Sequence, residues 1–328
     1  MTGSGAGDPV RRVIGVSLNA AVDKTVSVER LVPGAIHRPA LRSIVPGGKA
    51  VNVVRAARHL GLPGSAVAFL GGNAGRWYRD AMASAGIGLD AVEVSDETRT
   101  CLSILDESTG ALTELYEAGV QLRDGDWPRL EDALHAAIGP DCRDTVVVLA
   151  GSLPPGAPVD AYARLARIAD EAGARAVVDV AGPALAAALE GRPWLIKVNA
   201  EEAGALAGTD AHTRDGAIVA AQAIRDRGAG IAIVTRGIHG AVLVAPGETW
   251  SLGEVPADHR GPFSVGSGDA FLAGFLVGLA RDLPPGEALR LAGAAGAANA
   301  RVPGQGDLDP DDVERTIAAF EVTSAGGG

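Results

Sequence analysis

The stretch Phe263-Ser264-Val265-Gly266-Ser267-Gly268-Asp269-Ala270-Phe271-Leu272-Ala273-Gly274-Phe275 decides the reading of the chain. Gly266 and Gly268 flank the small Ser267, so the backbone can turn tightly and bring its N–H groups close to a ligand with no Cβ in the way. An apolar, helix-compatible run over 270–279 follows directly, which places the glycine turn at a helix N-terminus. Unpaired N–H groups and the positive end of the helix dipole favour an anion there, such as a phosphate. Asp269 stands at the same mouth. It can act as an N-cap that satisfies N–H groups, or it can take a proton from a hydroxyl attacking a bound phosphate. The remainder of the chain has to separate the two.

With 328 residues there is room for one large α/β domain or two ordinary ones. A hydrophobic content of 47% against 21% charged residues is globular, and at 4% aromatics the core must rest on Ala, Val, Leu and Ile. The net charge of −11 argues against a nucleic-acid partner, which needs a basic face. It also singles out isolated cations in glycine-rich segments, because an acidic protein with an anionic substrate must concentrate them. Cys101 and Cys142 show no metal spacing and read as ordinary thiols of a reducing compartment. The absence of a long apolar run and of a leader-like N-terminus leads to an expected cytoplasmic location without membrane contact. Residues 1–10 and 323–328 read as flexible tails around a single domain over 11–322.

Outward from the glycine turn, the pattern alternates strand with helix. Apolar runs at 13–18, 65–70, 145–149, 176–180, 194–198 and 231–234 lack alternation, as strands covered on both faces do. Helical spacing over 50–60, 76–85 and 160–172 supplies the covering layers, giving an α/β fold with a mainly parallel sheet flanked by helices. Segments within 24–46 and 99–117 alternate instead, and the second reads as a hairpin around Asp106-Glu107-Ser108-Thr109-Gly110. They fit no layer of a buried sheet and are assigned to a small β-sheet lid over the site.

Gly47-Gly48-Lys49 is not a phosphate loop of the Walker type, since Ser43 and Ala50 stand where that loop needs Gly and Ser or Thr. It leaves two glycines for close backbone approach, a lysine, and Asn52 within the first helical turn. Asp23, just past the first strand, would face a crevice at the carboxyl edge of a parallel sheet, where its carboxylate suits sugar hydroxyls. Lys197-Val198-Asn199-Ala200-Glu201-Glu202 puts an amide and a carboxylate on one side of a helical turn. Asn199 and Glu202 could hold the waters of a magnesium ion, form a capping box, or both. Val234-Thr235-Arg236-Gly237-Ile238-His239-Gly240 is a strand leading to two glycines, either a hairpin turn or a close approach to a nucleotide, and His239 receives no catalytic role.

Together these segments resemble the ribokinase-like (PfkB) carbohydrate kinases. Leu18-Asn19-Ala20-Ala21-Val22-Asp23, Glu97-Thr98-Arg99-Thr100-Cys101 and Gly151-Ser152-Leu153-Pro154-Pro155-Gly156 are similar to the branch of 1-phosphofructokinase and tagatose-6-phosphate kinase. The resemblance implies a three-layer fold with a β-sheet lid and pairing of two copies through that lid. It makes Asp269 the catalytic base and Gly266, Ser267 and Gly268 the anion hole. Asp23, Gly48 and Asn52 become sugar contacts, and Lys49 and Arg99 the cations for a phosphate already on the sugar. Asn199 and Glu202 organise Mg²⁺ and its waters, while Thr235, Gly237 and Gly240 lie along the ATP site. The chain departs from the family pattern at Ala20, Ala50 and Val198, and the methyl of Ala50 is expected close to the sugar.

The activity so implied is ATP-dependent phosphorylation of a phosphorylated ketohexose of the fructose 1-phosphate or tagatose 6-phosphate type. Two other readings stand beside it: a kinase of an unphosphorylated sugar, cyclitol or nucleoside, and a non-catalytic sugar or nucleotide sensor.

Overall fold

A computed structural model describes residues 9–140 and 142–325. Its strands are β1 (Arg12–Ser17), β2 (Ala21–Val28), β3 (Ala40–Gly47), β4 (Gly64–Leu70), β5 (Gly88–Glu93), β6 (Arg99–Asp106) and β7 (Ala111–Tyr116). They continue with β8 (Thr145–Ala150), β9 (Arg175–Asp179), β10 (Leu195–Asn199), β11 (Ile231–Thr235), β12 (Ala241–Ala245), β13 (Glu248–Leu252) and β14 (Val322–Ala325). The continuous apolar runs behave as the sequence pattern requires: β8 is buried along its whole length. Ten strands form one sheet in the order β14-β13-β12-β11-β10-β9-β8-β1-β4-β5, parallel from β5 to β11 and antiparallel at the β12–β14 edge.

Helices cover both faces. Lys49–His59, Ser267–Ala280 and Pro285–Arg301 pack on one side of the sheet, and Asp126–Ile138, Ala161–Glu171 and Arg214–Asp226 on the other. With few aromatics, close approach does the filling: Gly274 and Gly278 of one long helix receive Ala288, Ala292 and Ala295 of the next. Every methylene buried in this way is worth about 0.8 kcal/mol.

The alternating segments form a separate sheet, β3-β2-β6-β7, with β2 parallel to β6 and antiparallel to β3. This lid begins earlier than the alternation suggests, at Ala21 rather than after Asp23. Asp23 therefore sits in a lid strand paired with Cys101 and Val45, not on a turn at the edge of the main sheet. The C-terminal tail is also corrected. Val322–Ala325 pairs with β13 as a last antiparallel strand, so the ordered chain runs past residue 322. Residues 1–8 and 326–328 lie outside the described residues.

Candidate active site

The carboxyl ends of the parallel strands build the floor of the site. Ser17 closes β1, Asp179 β9, Asn199 β10 and Thr235 β11. Chain order reverses between β8 and β1, and a crevice opens outside the strand ends at such a switch point. The helix Ser267–Ala280 points its N-terminus into this crevice.

Gly266 is the N-cap of that helix, at φ 85°, and Asp269 is its third residue. The left-handed turn is open to glycine, and a Cβ at Gly266 would lie 2.9 Å from Gln305 Cα. Asp269 is therefore not the N-cap, a place that Gly266 takes. Its Oδ2 instead accepts from Asn52 Nδ2 at 2.9 Å. Asn52 belongs to the helix Lys49–His59 that starts from the Gly47-Gly48-Lys49 loop, so the two glycine segments meet at this bond. The capping reading of Asp269 falls.

A cavity of about 740 Å³ surrounds this pair. Gly48, Lys49 and Asn52 line it from one helix start, Asp23 and Arg99 from the lid, and Gly266, Gly268 and Asp269 from the other helix. An apolar slot of about 250 Å³ adjoins it, lined by Thr235, Gly237, Gly240 and Ser267, with Phe271 and Phe320 at its walls. Thr235 and Gly268 border both spaces. The segment around Gly237 forms the hairpin turn: a one-turn 3₁₀ helix at Gly237–His239 joins antiparallel β11 and β12, and it also lines the slot. His239 is exposed and pairs with Glu254 at 2.9 Å.

Three residues that line the larger cavity each keep a buried polar atom with no protein partner. Asp23 Oδ2, Asn52 Oδ1 and Arg99 Nε make no hydrogen bond. The rest of the Arg99 guanidinium is fixed by Asn19 O at 3.0 Å and Glu117 O at 3.3 Å. Burial pushes the Asp269 carboxyl up to about 6, with Asp179 adding to the rise and Lys49, Lys197 and Asn52 opposing it. Burial likewise lifts Asp23 to about 7, against the pull of Arg55. A base with such a value is poised near neutral pH.

Sequence reasoning missed Asp179. It is 1% exposed and joins two ammonium groups, Lys49 Nζ at 3.0 Å and Lys197 Nζ at 2.7 Å. Burial works against its ionisation, but Lys197 and Lys49 outweigh that and hold the carboxyl at about 2. Lys197 was visible in its segment without a role. The space a Cβ on Gly268 would occupy lies 2.8 Å from its Nζ, which puts a positive charge beside the anion hole. The available cue was an acid ending an apolar run, Val177-Val178-Asp179, at the edge where Asp23 was sought.

Asn199 and Glu202 form a reciprocal capping box, each side chain accepting from the other's backbone N–H at 2.8 and 2.9 Å. Asn199 lines the cavity, and Glu202 keeps its second oxygen out of the box. One amide at the cavity and one carboxylate bonded beside it, with no cluster of three His, Cys, Asp or Glu among the described residues, suit an ion that keeps most of its waters. The departures from the resemblance do not reach the cavity. Ala20, Ala50 and Val198 are 4%, 0% and 0% exposed within the two core layers, which corrects the expected placement of the Ala50 methyl beside the sugar.

An acid in the first turn of a helix that opens on a polar cavity, next to an apolar slot, is the arrangement expected of a phosphotransferase acting on a hydroxyl. The model of the pfkB family of carbohydrate kinases matches residues 14–312, and the chain belongs to that family. It is 32% identical over 287 residues to the 1-phosphofructokinase of Bacillus subtilis, covering 87% of this chain and 91% of that one. To the 1-phosphofructokinase of Rhodobacter capsulatus it is 34% identical over 284 residues, 86% and 88% of the two chains. The structure of phosphofructokinase-2 from Escherichia coli in complex with substrates and products superposes with a TM-score of 0.85 at 28% identity, covering 94% of this chain and 99% of that one. The protein is a carbohydrate kinase of that family. No helix among the described residues is long and apolar enough to cross a membrane.

Proposed function

We propose that the protein transfers the γ-phosphoryl group of ATP to a hydroxyl of a phosphorylated ketohexose, giving a sugar bisphosphate and ADP. One observation carries the reading: Arg99, Asp23 and Asn52 line one cavity, and each keeps a buried polar atom with no protein partner. They are the complement of a phosphate joined to sugar hydroxyls. The names of the relatives support it, and the burial of Ala20 and Ala50 removes the motive for an unphosphorylated acceptor.

In this reading the nucleotide base occupies the apolar slot and the phosphates run past Thr235 and Gly268 into the anion hole. Asp269 takes the proton of the attacking hydroxyl, held there by Asn52. The N–H groups at Gly266, Ser267 and Gly268, together with Lys197, face the charge on the migrating group. Asp23, Gly48 and Asn52 hold the sugar, and Arg99 and Lys49 its phosphate. Asn199 and Glu202 would hold Mg²⁺, which would supply neutralisation of phosphate charge.

ADP release measured over a panel of free and phosphorylated sugars tests the proposal. Arg99→Ala should raise KM for the preferred sugar phosphate at least about tenfold, the scale of one charge-assisted contact, and leave KM for ATP within about twofold. Equal kinetics of the variant and the parent on sugar phosphate would overturn it.

The lid supports a finer proposal, that two copies pair through it. On the face opposite Asp23, in register across the strands, lie Leu41, Ile44, Val26, Leu102, Ile104 and Leu115. Leu41, Ile44 and Leu115 are 58%, 42% and 55% exposed, an apolar patch on the edge strands beside the buried Val26. Ile44→Lys combined with Leu115→Asp should shift the sedimentation coefficient from dimer to monomer. A parent that already sediments as a monomer sinks the idea.

A further inference from the structure

The loop at 302–308 lies outside the catalytic groups named so far, yet it forms a wall of the site through Gln305. Two buried side chains pin it. Asn299 Nδ2 donates to Gly304 O at 3.0 Å and to Asp307 O at 2.7 Å. Arg55, 8% exposed, donates from Nη1 to Gln305 O at 2.6 Å and pairs through Nη2 with the Asp307 carboxylate.

What the loop touches gives this its meaning. Asn52 and Arg55 are three residues apart and share one side of the helix Lys49–His59. Gly306 presses on Asn52, since a Cβ there would stand 2.6 Å from Asn52 O. Gln305 Oε1 is 3.5 Å from Asn52 Nδ2, the same nitrogen that donates to Asp269. Gln305 also backs the left-handed turn at Gly266. The loop is thus wedged between the residue that orients the base and the turn that forms the anion hole.

We infer that Arg55 is a positioning residue for phosphoryl transfer: by locking Gln305 to Asp307 it fixes Asn52 and the Gly266 turn, and so the direction in which Asp269 faces. It touches neither Asp269 nor the proposed position of the sugar. A guanidinium suits the task because its fork serves a carbonyl and a carboxylate together, which a lysine cannot do.

The inference rests on Asp269 as the base, and the experiment separates the two. The groups that bear on Asp269 are Asp179, Lys49, Lys197 and Asn52; those on Asp23 are Arg55, Asp269, Arg99 and the Gly48 N–H. Losing Arg55 removes a cation beside Asp23 and slackens the Asn52 bond to Asp269. Both changes favour the protonated acids, so the acid limb of the kcat profile should move to higher pH.

The full-length enzyme with Arg55→Ala should lose about 10- to 100-fold in kcat, the scale of a misplaced catalytic geometry, while KM for each substrate stays within about threefold. Millimolar guanidinium chloride should restore at least part of that loss, and sodium chloride of equal ionic strength should not. Arg55→Lys keeps the charge and should fall between the two, with the acid limb at its parental position. A lower Tm with kcat within about twofold of the parent marks Arg55 as purely structural and overturns the inference. So does a kcat loss with an unmoved acid limb and no response to guanidinium. Should Arg55→Ala not fold, Arg55→Lys decides by kcat against KM: parental kcat overturns, reduced kcat at parental KM supports. Full turnover in Asp269→Asn would instead remove the base assignment itself, whatever Arg55 does.

Discussion

Asp269→Asn is expected to lower kcat about a thousandfold, within the range for loss of a general base, while leaving substrate affinities within a few-fold. The amide keeps the shape of the side chain and its contact with Asn52 but cannot accept the hydroxyl proton. A pH profile of the parent should show the same group. Asp269 is raised to about 6 by burial, beside Asp23 at about 7, and a base must be ionised to act. Turnover should therefore fall as pH drops through about 7 towards 6. The stability effect has the opposite sign. A folded-state value above the ordinary 3.8 means that the folded protein binds this proton more tightly than the unfolded chain does. That contribution is fully present below 3.8 and lost as pH rises through about 6, so the ionised group costs roughly 3 kcal/mol at pH 8. Asp269→Asn should then melt several degrees higher than the parent at pH 8, with the difference vanishing near pH 4. Retention of more than about a tenth of kcat would remove Asp269 from the mechanism.

Asp179→Ala should have the largest effect on stability. It removes the counter-charge of Lys197, whose side chain is 6% exposed, and of Lys49 in one step. An uncompensated buried charge costs about 3–5 kcal/mol, where a surface pair would contribute under about 1. The sign is that of a depressed acid. Held at about 2, below its ordinary 3.8, the carboxyl contributes stability at every pH above 3.8, lost only as pH falls towards 2. Denaturant unfolding of Asp179→Ala should accordingly show a constant deficit between pH 5 and pH 8, roughly that 3–5 kcal/mol. Turnover should fall as well, because both ammonium groups lose their anchor. A variant as stable as the parent would show that water reaches Lys197 and that the pair is not sealed.

How much of this was legible in the sequence depends on distance along the chain. Unbroken apolar runs gave the parallel sheet, and alternation separated the lid, because side-chain period is a local property. The helix after the glycine turn and the acid in its first turn were legible for the same reason. Asp179 was not, since an acid ending a strand looks alike whether it faces solvent or two lysines. Arg55 reads as one more cation on an amphipathic helix; its partners lie about 250 residues further on. Ala50 shows the cost of a small angular error: each helical step turns the side chain by about 100°, enough to send a methyl into the core rather than the cavity. The strand Val322–Ala325, Val-Thr-Ser-Ala, has little apolar content, and its place comes from the free edge of β13.

The lid carries a further consequence. Asp23 and Arg99 belong to its central strands and line the cavity, so the cover and the side chains proposed to read the sugar are one body. On that proposal, swinging it outward to release product would also dismantle the contacts that tell one sugar from another. Selectivity and escape would then be geared together: a substitution of Thr98, which ties the start of the second central strand to Gly71 and does not line the cavity, should register at the bench as poor affinity, although no cavity-lining atom had changed.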